Sequence, residues 1–243
     1  MPEAQPAAPA ATPETPRPSL RASALLFDMD GTLVDSTALV ESTWADFSVR
    51  HGTDLGDVLA YAHGRPTRET VGHFVADPEL AALETRRLSA YEESETTGIT
   101  EIPGARALLA SLPPGSWAVV TSAGRRLAEV RLAAAGLPLP ETMVSADDVV
   151  HGKPHPEGYL RAAALLGVEP ADTIVFEDSG AGVRAGLASG ARTVVIGGLD
   201  TFDGEAERFP DFRGLRADTA SAGAGGVSLT VSGPLVGRAG EWR

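Results

Sequence analysis

A short apolar run that ends in two aspartates, Asp28 and Asp30, constrains the fold more than any other feature of the 243-residue sequence. The run predicts a buried strand over Ala24–Asp28, and the Gly31-Thr32 pair predicts a turn that stops the strand. Side chains alternate along a strand, so positions two apart share a face. Both carboxylates should therefore meet just beyond the carboxyl end of the strand, where open α/β sheets bind ligands.

The closeness of Asp28 and Asp30 predicts a metal site. Two carboxylates held together rarely both stay ionised without a cation. Oxygen ligands of this kind favour a hard divalent metal, Mg²⁺ first. The alternative is a loop with two solvated acids, and matching segments further along the chain argue against it.

Strand-like and helical patterns alternate after this segment, which predicts an α/β fold, a Rossmann-like parallel sheet with crossover helices. Residues 38–99 interrupt the alternation with helical patterns, and we interpret them as a small, inserted all-helical cap domain. The core domain then comprises residues 23–37 and 100–216. Residues 1–22, rich in Pro and Ala, predict a disordered tail, and residues 217–243 predict a flexible one, with at most an edge strand before it.

One helix of the cap has a clear predicted start. Asp77 and Pro78 suit the N-cap and the first helical position. The apolar residues that follow recur at helical spacing and predict the buried face of this helix, namely Leu80, Leu83, Leu88 and Tyr91. Trp44, on the helix that leads into the cap, is interpreted as a core residue.

The composition limits the kinds of partner. A net charge of −13 and a pI near 4.8 argue against nucleic acid, because nucleic-acid binding needs a basic surface. The absence of Cys excludes disulfides, thiol catalysis and thiolate metal sites. An anionic small substrate is compatible with this charge, because physiological salt screens the global field beyond roughly 8 Å.

Targeting signals are also missing from the sequence. No apolar run approaches the roughly 18–20 residues of a membrane span. The first twenty residues lack the apolar segment of a signal peptide. We therefore expect a cytoplasmic protein without a membrane partner. As separate expectations, it acts on a small molecule and is a monomer.

Three further candidate sites follow predicted strands, where functional residues of an α/β sheet belong. The hydroxyls of Thr121 and Ser122 could hold phosphate oxygens, or they could cap a helix. Lys153 lies between turn-forming residues that could aim its ammonium, although a surface lysine is usually only solvated. Glu177 and Asp178 precede a Gly-rich turn and are candidate metal ligands, whereas the alternative is a helix N-cap at Asp178.

Together, these residues resemble the four motifs of the haloacid dehalogenase superfamily, in the same order. The resemblance covers roughly residues 23–198, and the inserted helical segment is similar to the small α-helical cap of one class. Within that class, the sequence is most similar to bacterial sugar phosphatases and to fungal glycerol-phosphate and 2-deoxyglucose-6-phosphate phosphatases. Short strings carry this likeness, among them His63-Gly64-Arg65, Ile102-Pro103-Gly104-Ala105, Val120-Thr121-Ser122 and Gly152-Lys153-Pro154.

The resemblance implies a mechanism for the hydrolysis of a small phosphate ester. Asp28 would attack phosphorus to form an aspartyl-phosphate, and Asp30 would protonate the leaving alkoxide and then activate water. Mg²⁺ would bind Asp28, the Asp30 carbonyl oxygen and Asp178, with Glu177 ligating directly or through water. Lys153 would pair with Asp28 and a phosphoryl oxygen, which keeps Asp28 ionised.

The resemblance also implies which residues contact the substrate, expected to be a sugar or polyol phosphate monoester. Thr121, Ser122 and the backbone around Gly31 would hold the phosphoryl oxygens. His63 and Arg65 lie at the start of a cap helix and would face the leaving group.

Alternative activities stay open to different degrees. Phosphomutases of the β-phosphoglucomutase type place a His twelve residues after the nucleophile, where this chain has Val40, so hydrolysis is favoured. Haloacid dehalogenases lack the second aspartate, which is present here as Asp30. Phosphonate cleavage needs a cap lysine, and residues 52–98 contain none. The loss of a motif residue would favour a non-catalytic phosphometabolite-binding protein, but the sequence keeps every motif residue.

Overall fold

The computed structural model describes residues 19–221 and 227–232. These residues form eleven strands and eight helices. The strands are β1 Ser19–Ala22, β2 Ala24–Phe27, β3 Val34–Asp35, β4 Thr100–Glu101, β5 Trp117–Val120, β6 Thr142–Val144, β7 Thr173–Glu177, β8 Arg192–Ile196, β9 Glu207–Phe209, β10 Arg216–Ser221 and β11 Val227–Ser232. The helices are α1 Thr37–His51, α2 Leu55–Ala62, α3 Thr67–Phe74, α4 Pro78–Ser94, α5 Ala105–Ser111, α6 Arg125–Ala134, α7 Glu157–Leu166 and α8 Gly180–Ala188.

A six-stranded sheet of order β6-β5-β2-β7-β8-β9 forms the centre of the fold, and every pair in it is parallel. The predicted α/β fold is confirmed. Strand β2 lies between β5 and β7 and is fully buried, because helices cover both faces of a parallel sheet. Phe27 of β2 stacks on Phe176 of β7, with ring centroids 4.9 Å apart. The end of β2 is thus fixed at the middle of the sheet, where the strand order reverses.

Helices α1 to α4 pack around a hydrophobic cluster of their own. Its buried members are Trp44, Phe47, Val58, Ala62, Val71, Val75 and Leu88. The short ribbon of β3 and β4 brackets these helices, since β3 precedes α1 and β4 follows α4. Asp77 caps α4 by accepting a hydrogen bond from the Leu80 backbone N–H at 2.9 Å. The cap boundaries at residues 38 and 99 stay a prediction.

The predicted buried face of α4 is wrong. Leu80, Leu83 and Tyr91 are 41%, 54% and 46% exposed, and only Leu88 of the predicted stripe is buried. The face that is buried carries Glu84 and Glu92 on either side of Leu88. Both glutamates form ion pairs with arginines of other helices, Arg50 and Arg131. A pattern based on side-chain hydrophobicity cannot identify partners that come from elsewhere in the chain.

The predicted tails are wrong where the structure describes them. Strand β1 pairs with β11, and β11 with β10, in an antiparallel three-stranded sheet. Val227, Leu229 and Val231 alternate with Ser and Thr, a strand pattern that the Gly-rich and Ala-rich surroundings obscured. The predicted edge strand is present as β9. Residues 1–18, 222–226 and 233–243, also assigned to the tails, lie outside the described residues.

Among the helices of the described part of the chain, we find none with the length and apolar character needed to cross a membrane.

Candidate active site

The carboxyl ends of β5, β2 and β7 meet at one edge of the sheet and carry predicted site residues. Asp28 follows β2, Thr121 follows β5 and Glu177 ends β7. A cavity of about 380 Å³ lies between this edge and helices α1 to α4. Eight of the ten predicted site residues line it, namely Asp28, Asp30, Gly31, His63, Arg65, Thr121, Ser122 and Asp178. Lys153 and Glu177 do not line this cavity and contact its wall from behind Asp28.

Lys153 is buried and donates three hydrogen bonds from Nζ. Its acceptors are Asp28 Oδ1 at 2.5 Å, Glu177 Oε1 at 2.7 Å and the Val120 carbonyl oxygen at 3.0 Å. Burial by itself lowers the pKa of Lys153, but the charges of Asp28 and Glu177 raise it above its ordinary value. The predicted pair of Lys153 and Asp28 is therefore present, with Lys153 held as an ammonium.

Glu177 is fully buried, and both of its oxygens are occupied. Oε1 accepts from Lys153 and, at 2.8 Å, from the Tyr159 hydroxyl. Oε2 accepts from the Asp178 and Ser179 backbone N–H groups and from the Ser179 hydroxyl, at 3.0 to 3.1 Å. A carboxylate has about four lone-pair positions, so these donors saturate it. The geometry therefore favours orientation of Lys153 over direct metal ligation, and the predicted ligand role of Glu177 stays a prediction.

Asp28, Glu177 and Asp178 form an acidic cluster in which one ligand oxygen of each lies within 4.8 Å of the others. Burial raises the pKa of Asp28 well above its ordinary value, and the neighbouring carboxylates raise it further against the opposing charge of Lys153. Burial also raises the pKa of Asp178. The cluster thus holds more negative charge than the single positive charge of Lys153 can offset. Its candidate ligand atoms are all oxygen. Both properties fit a hard divalent cation.

The two predicted cap residues line the cavity, but their side chains point to other partners. His63 Nε2 lies 3.0 Å from Asp178 Oδ2, and this hydrogen bond raises the pKa of His63. The Arg65 guanidinium donates to the Tyr61 carbonyl oxygen at 3.0 Å and lies 4.5 Å from the centre of the Tyr61 ring. His63 therefore reaches an acidic residue of the core, whereas it was predicted to face the leaving group.

The predicted hydroxyl pair joins the core to the cap. Ser122 Oγ donates to the Gly64 carbonyl oxygen at 2.8 Å. Thr121 Oγ1 accepts from the Ala123 backbone N–H at 3.0 Å in a local turn. The alternative of a helix cap is wrong, because Gly124 is the N-cap of α6 and no side chain caps this helix. Thr121 and Ser122 still line the cavity, so their predicted contacts with phosphoryl oxygens stay a prediction.

Gly31 serves the site through its lack of a side chain. Its N–H donates to the Val34 carbonyl oxygen at 2.8 Å, so that group is already engaged. Its φ of +85° is one that residues with a side chain rarely adopt, and a Cβ there would lie 2.0 Å from Asp178 Oδ2. Gly31 therefore permits the close approach of Asp178 to the turn that follows β2.

Comparison with known proteins agrees with this geometry. The sequence matches the haloacid dehalogenase-like hydrolases over residues 22–190. The chain belongs to this family. Hexitol phosphatase A of Escherichia coli K12 is 44% identical over 181 residues, a match that covers 73% of this chain and 84% of that protein. 2-Deoxyglucose-6-phosphate phosphatase 1 of Saccharomyces cerevisiae is 35% identical over 196 residues, covering 70% and 78%.

A solved structure gives a further comparison. β-Phosphoglucomutase from Clostridium difficile superposes with a TM-score of 0.70 at 20% sequence identity, over 79% of this chain and 92% of that chain. At this identity, the likeness shows that the two proteins share a fold, and it shows no more than that.

This haloacid dehalogenase-like hydrolase also has two site residues that the sequence patterns missed, Arg131 of α6 and Glu92 of α4. Arg131 lies 2.8 Å from Asp30 Oδ1 and 2.6 Å from Glu92 Oε1. The Ser36 hydroxyl donates to the same Asp30 oxygen at 2.7 Å. A charged residue at helical spacing from buried apolar residues is the sequence signal that could have found both, since Arg131 lies four residues after Leu127 and Glu92 four residues after Leu88.

Proposed function

We propose that this chain is a Mg²⁺-dependent phosphatase that hydrolyses a small sugar or polyol phosphate monoester through an aspartyl-phosphate on Asp28. The observation that carries the proposal is the position of Asp28, which lines the cavity while Lys153 holds its Oδ1 from behind. The names of the relatives in E. coli and yeast, a hexitol phosphatase and a 2-deoxyglucose-6-phosphate phosphatase, support the substrate class.

The proposed reaction uses Asp28 and Asp30 in two steps. Asp28 attacks phosphorus, the bond from phosphorus to the leaving oxygen breaks, and Asp30 gives its proton to that oxygen. A water molecule then attacks the phosphoryl group, Asp30 accepts the proton of that water, and the carboxylate of Asp28 is regenerated. Ser36 and Arg131 both hold Asp30 Oδ1, which orients the carboxyl group for these transfers.

Charge must be offset when an anionic carboxylate meets an anionic phosphate. Lys153 supplies one positive charge directly at Asp28. Mg²⁺, held by Asp28 and Asp178, would supply the remaining positive charge and polarise a phosphoryl oxygen. The acidic cluster supports this ligand set, since its oxygens already lie close together.

Val40 supports hydrolysis over phosphoryl transfer between sugar positions. It lies on α1 and lines the cavity, and it stands twelve residues after Asp28, where the resemblance places the histidine of a phosphomutase. An alkyl side chain can neither donate nor accept a proton, so the acid–base group of a mutase is missing there.

Removal of divalent metal is expected to reduce turnover of p-nitrophenyl phosphate by at least about 10²-fold, because the cluster would lose the charge that offsets the phosphate. EDTA treatment followed by gel filtration and a phosphate-release assay measures this effect, and added Mg²⁺ should restore the rate.

A panel of sugar, polyol, nucleotide and phosphopeptide substrates, ranked by kcat/KM, tests the substrate class. Inactivity toward every substrate would favour a binding protein, and a preference for nucleotides or phosphopeptides would overturn the substrate class.

Gly31→Ala is expected to weaken Mg²⁺ binding by about 10-fold to 100-fold, because the new Cβ would displace the Asp178 carboxylate. Isothermal titration calorimetry with Mg²⁺ measures the affinity. Gly52→Ala is the matched control, since Gly52 has a φ of +64° and no atom within 4 Å of the added Cβ. Equal affinities of the two variants would show that a Cβ at residue 31 does not displace the Asp178 carboxylate.

A further inference from the structure

Glu92 and Arg131 form a buried ion pair between helices of two different parts of the fold. Glu92 belongs to α4, one of the helices inserted before β4, and Arg131 belongs to α6, which follows β5 of the central sheet. Glu92 Oε1 lies 2.6 Å from the Arg131 guanidinium, and the two side chains are only 6% and 4% exposed. The reaction as proposed uses Arg131 to orient Asp30, and it gives no task to Glu92.

The two terminal nitrogens of the Arg131 guanidinium have different partners. Nη1 lies 2.8 Å from Asp30 Oδ1, and Nη2 donates to Glu92 Oε1. The third nitrogen, Nε, is buried and forms no hydrogen bond within the described part of the chain. A guanidinium is planar and rigid, so the position of one terminal nitrogen constrains the position of the other. The contact with Glu92 therefore determines where Nη1 meets Asp30.

Asp30 depends on such a restraint because its carboxyl group is not enclosed. Its side chain is 28% exposed and lines the cavity. The Ser36 hydroxyl donates to Oδ1 at 2.7 Å, but a single hydrogen bond still lets the carboxyl group turn about its Cβ–Cγ bond. Arg131 meets the same oxygen from α6, so the two contacts together restrict this rotation. Oδ1 is thereby engaged, which leaves Oδ2 to exchange a proton with the leaving oxygen.

The nucleophile is held by a separate set of contacts. Lys153 Nζ donates to Asp28 Oδ1, to Glu177 and to the Val120 carbonyl oxygen. None of these groups belongs to the chain of contacts that runs from Glu92 to Asp30. A change at Glu92 should therefore impair proton transfer by Asp30 and leave attack by Asp28 in place.

We propose that Glu92 is a positioning residue for general acid catalysis by Asp30, and that it acts through Arg131. The Glu92 carboxylate fixes the guanidinium of Arg131, and the guanidinium fixes the carboxyl group of Asp30. This inference rests on the proposed phosphatase function and adds a residue of α4 to the groups on which protonation of the leaving oxygen depends. A pair that only clamps α4 to α6 would make no distinction between leaving groups.

Two aryl phosphates that differ in leaving-group acidity separate these roles. Phenyl phosphate and p-nitrophenyl phosphate have similar shapes, but p-nitrophenolate leaves as a stable anion, whereas phenolate gains more from protonation. The value of kcat/KM covers only the steps up to departure of the leaving group, so later activation of water by Asp30 does not enter it. The ratio of kcat/KM for the p-nitrophenyl ester to that for the phenyl ester therefore measures how well Asp30 acts as an acid.

Glu92→Ala is expected to raise this ratio by at least about tenfold over wild type, because a misplaced catalytic group can cost about 10²-fold in rate. Glu92→Gln keeps an oxygen for Arg131 but lacks the charge, so it should raise the ratio less, by about threefold or more. Glu93→Ala is the matched control, since Glu93 is the next residue of α4 and does not line the cavity. It should leave the ratio at its wild-type value.

A double-mutant cycle tests the route through Arg131. In the Arg131→Met background Glu92 has no guanidinium to hold, so Glu92→Ala should change the ratio by less than about twofold. A further rise of about tenfold in this background would show that Glu92 acts by another route, and it would overturn the proposal.

Thermal melting checks the fold of each variant. An unchanged ratio in either Glu92 variant that folds, with equal losses for both esters, would indicate a clamp and overturn the proposal. If neither Glu92 variant folded, the pair would be required for the fold itself, which would also overturn the proposal.

Asp30→Asn separates a failure of this inference from a failure of the proposed function. It should raise the ratio at least as much as Glu92→Ala does, because it removes the acid itself. If folded Asp30→Asn left the ratio unchanged, Asp30 would not be the acid, and the proposed reaction would fail together with the inference. If Asp30→Asn raised the ratio and folded Glu92→Ala did not, the inference alone would fail.

Discussion

Asp28→Asn is expected to reduce kcat for phosphate release by more than about 10⁴-fold, because it removes the proposed nucleophile from a reaction that is among the slowest known without a catalyst. The amide keeps the size of the carboxylate, and the neighbouring ammonium of Lys153 can still donate to its oxygen. The change therefore removes nucleophilic attack while it disturbs the surrounding contacts little. Steady-state release of phosphate from p-nitrophenyl phosphate and from a polyol phosphate measures the loss.

Asp35→Asn controls for the loss of one carboxylate near Asp28 in the sequence. Asp35 is exposed, and its side chain accepts from the Thr37 backbone N–H, a hydrogen bond that Asn can also accept. This variant should keep kcat close to the wild-type value. Retention of most of the rate by Asp28→Asn would show that another group attacks phosphorus, or that water attacks it directly.

The elements that sequence patterns predict well here are those fixed by local residues. Strand β2 ends one residue earlier than predicted, at Phe27, and strand β7 ends at Glu177, directly before the Gly-rich turn that the sequence indicates. Both are apolar runs stopped by acidic residues and a turn, so the signal lies within a few positions. The meeting of Asp28 with Asp178 could be inferred because parallel strands bring their carboxyl ends to one edge of a sheet.

The parts that could not be predicted depend on partners that are distant in the sequence. Strand β1 exists because Ala22 pairs opposite Leu229, about two hundred residues away. Glu92 is buried because Arg131 neutralises it, and neither residue reveals the other in a helical pattern. The orientation of the His63 side chain is likewise set by a tertiary contact, since its partner Asp178 follows strand β7 of the central sheet. Residue spacing indicates which residues of a helix or strand share one face. It does not indicate which residues of another element pack against that face, because the tertiary fold determines them.

Lys153→Met is expected to reduce kcat by at least about 10³-fold and to lower the free energy of unfolding by about 3–5 kcal/mol, because it leaves buried carboxylates without their cation. Lys153 is 6% exposed and pairs with both Asp28 and Glu177. Urea denaturation in EDTA measures the stability without interference from bound metal.

Burial raises the pKa of Asp28 in the folded state, and Lys153 opposes that rise. The folded variant therefore binds a proton more readily than the unfolded chain, so its stability deficit should grow as the pH increases through this raised pKa and shrink at low pH.

A double-mutant cycle separates the ion pair from other effects of the substitution. In the Asp28→Asn background one of the two buried carboxylates that pair with Lys153 is gone, so Lys153→Met should destabilise the fold less, with a coupling energy of at least about 1 kcal/mol.

Lys153 is the only lysine of the sequence, so ¹⁵N-labelled lysine gives a single ammonium resonance that reports the pair directly. Arg161→Met, an exposed cation on α7, should change the free energy of unfolding by no more than about 0.5 kcal/mol. If Lys153→Met kept kcat within tenfold of wild type, the ammonium would stabilise the fold without acting on the nucleophile, since the contact with Asp28 alone does not distinguish these two roles.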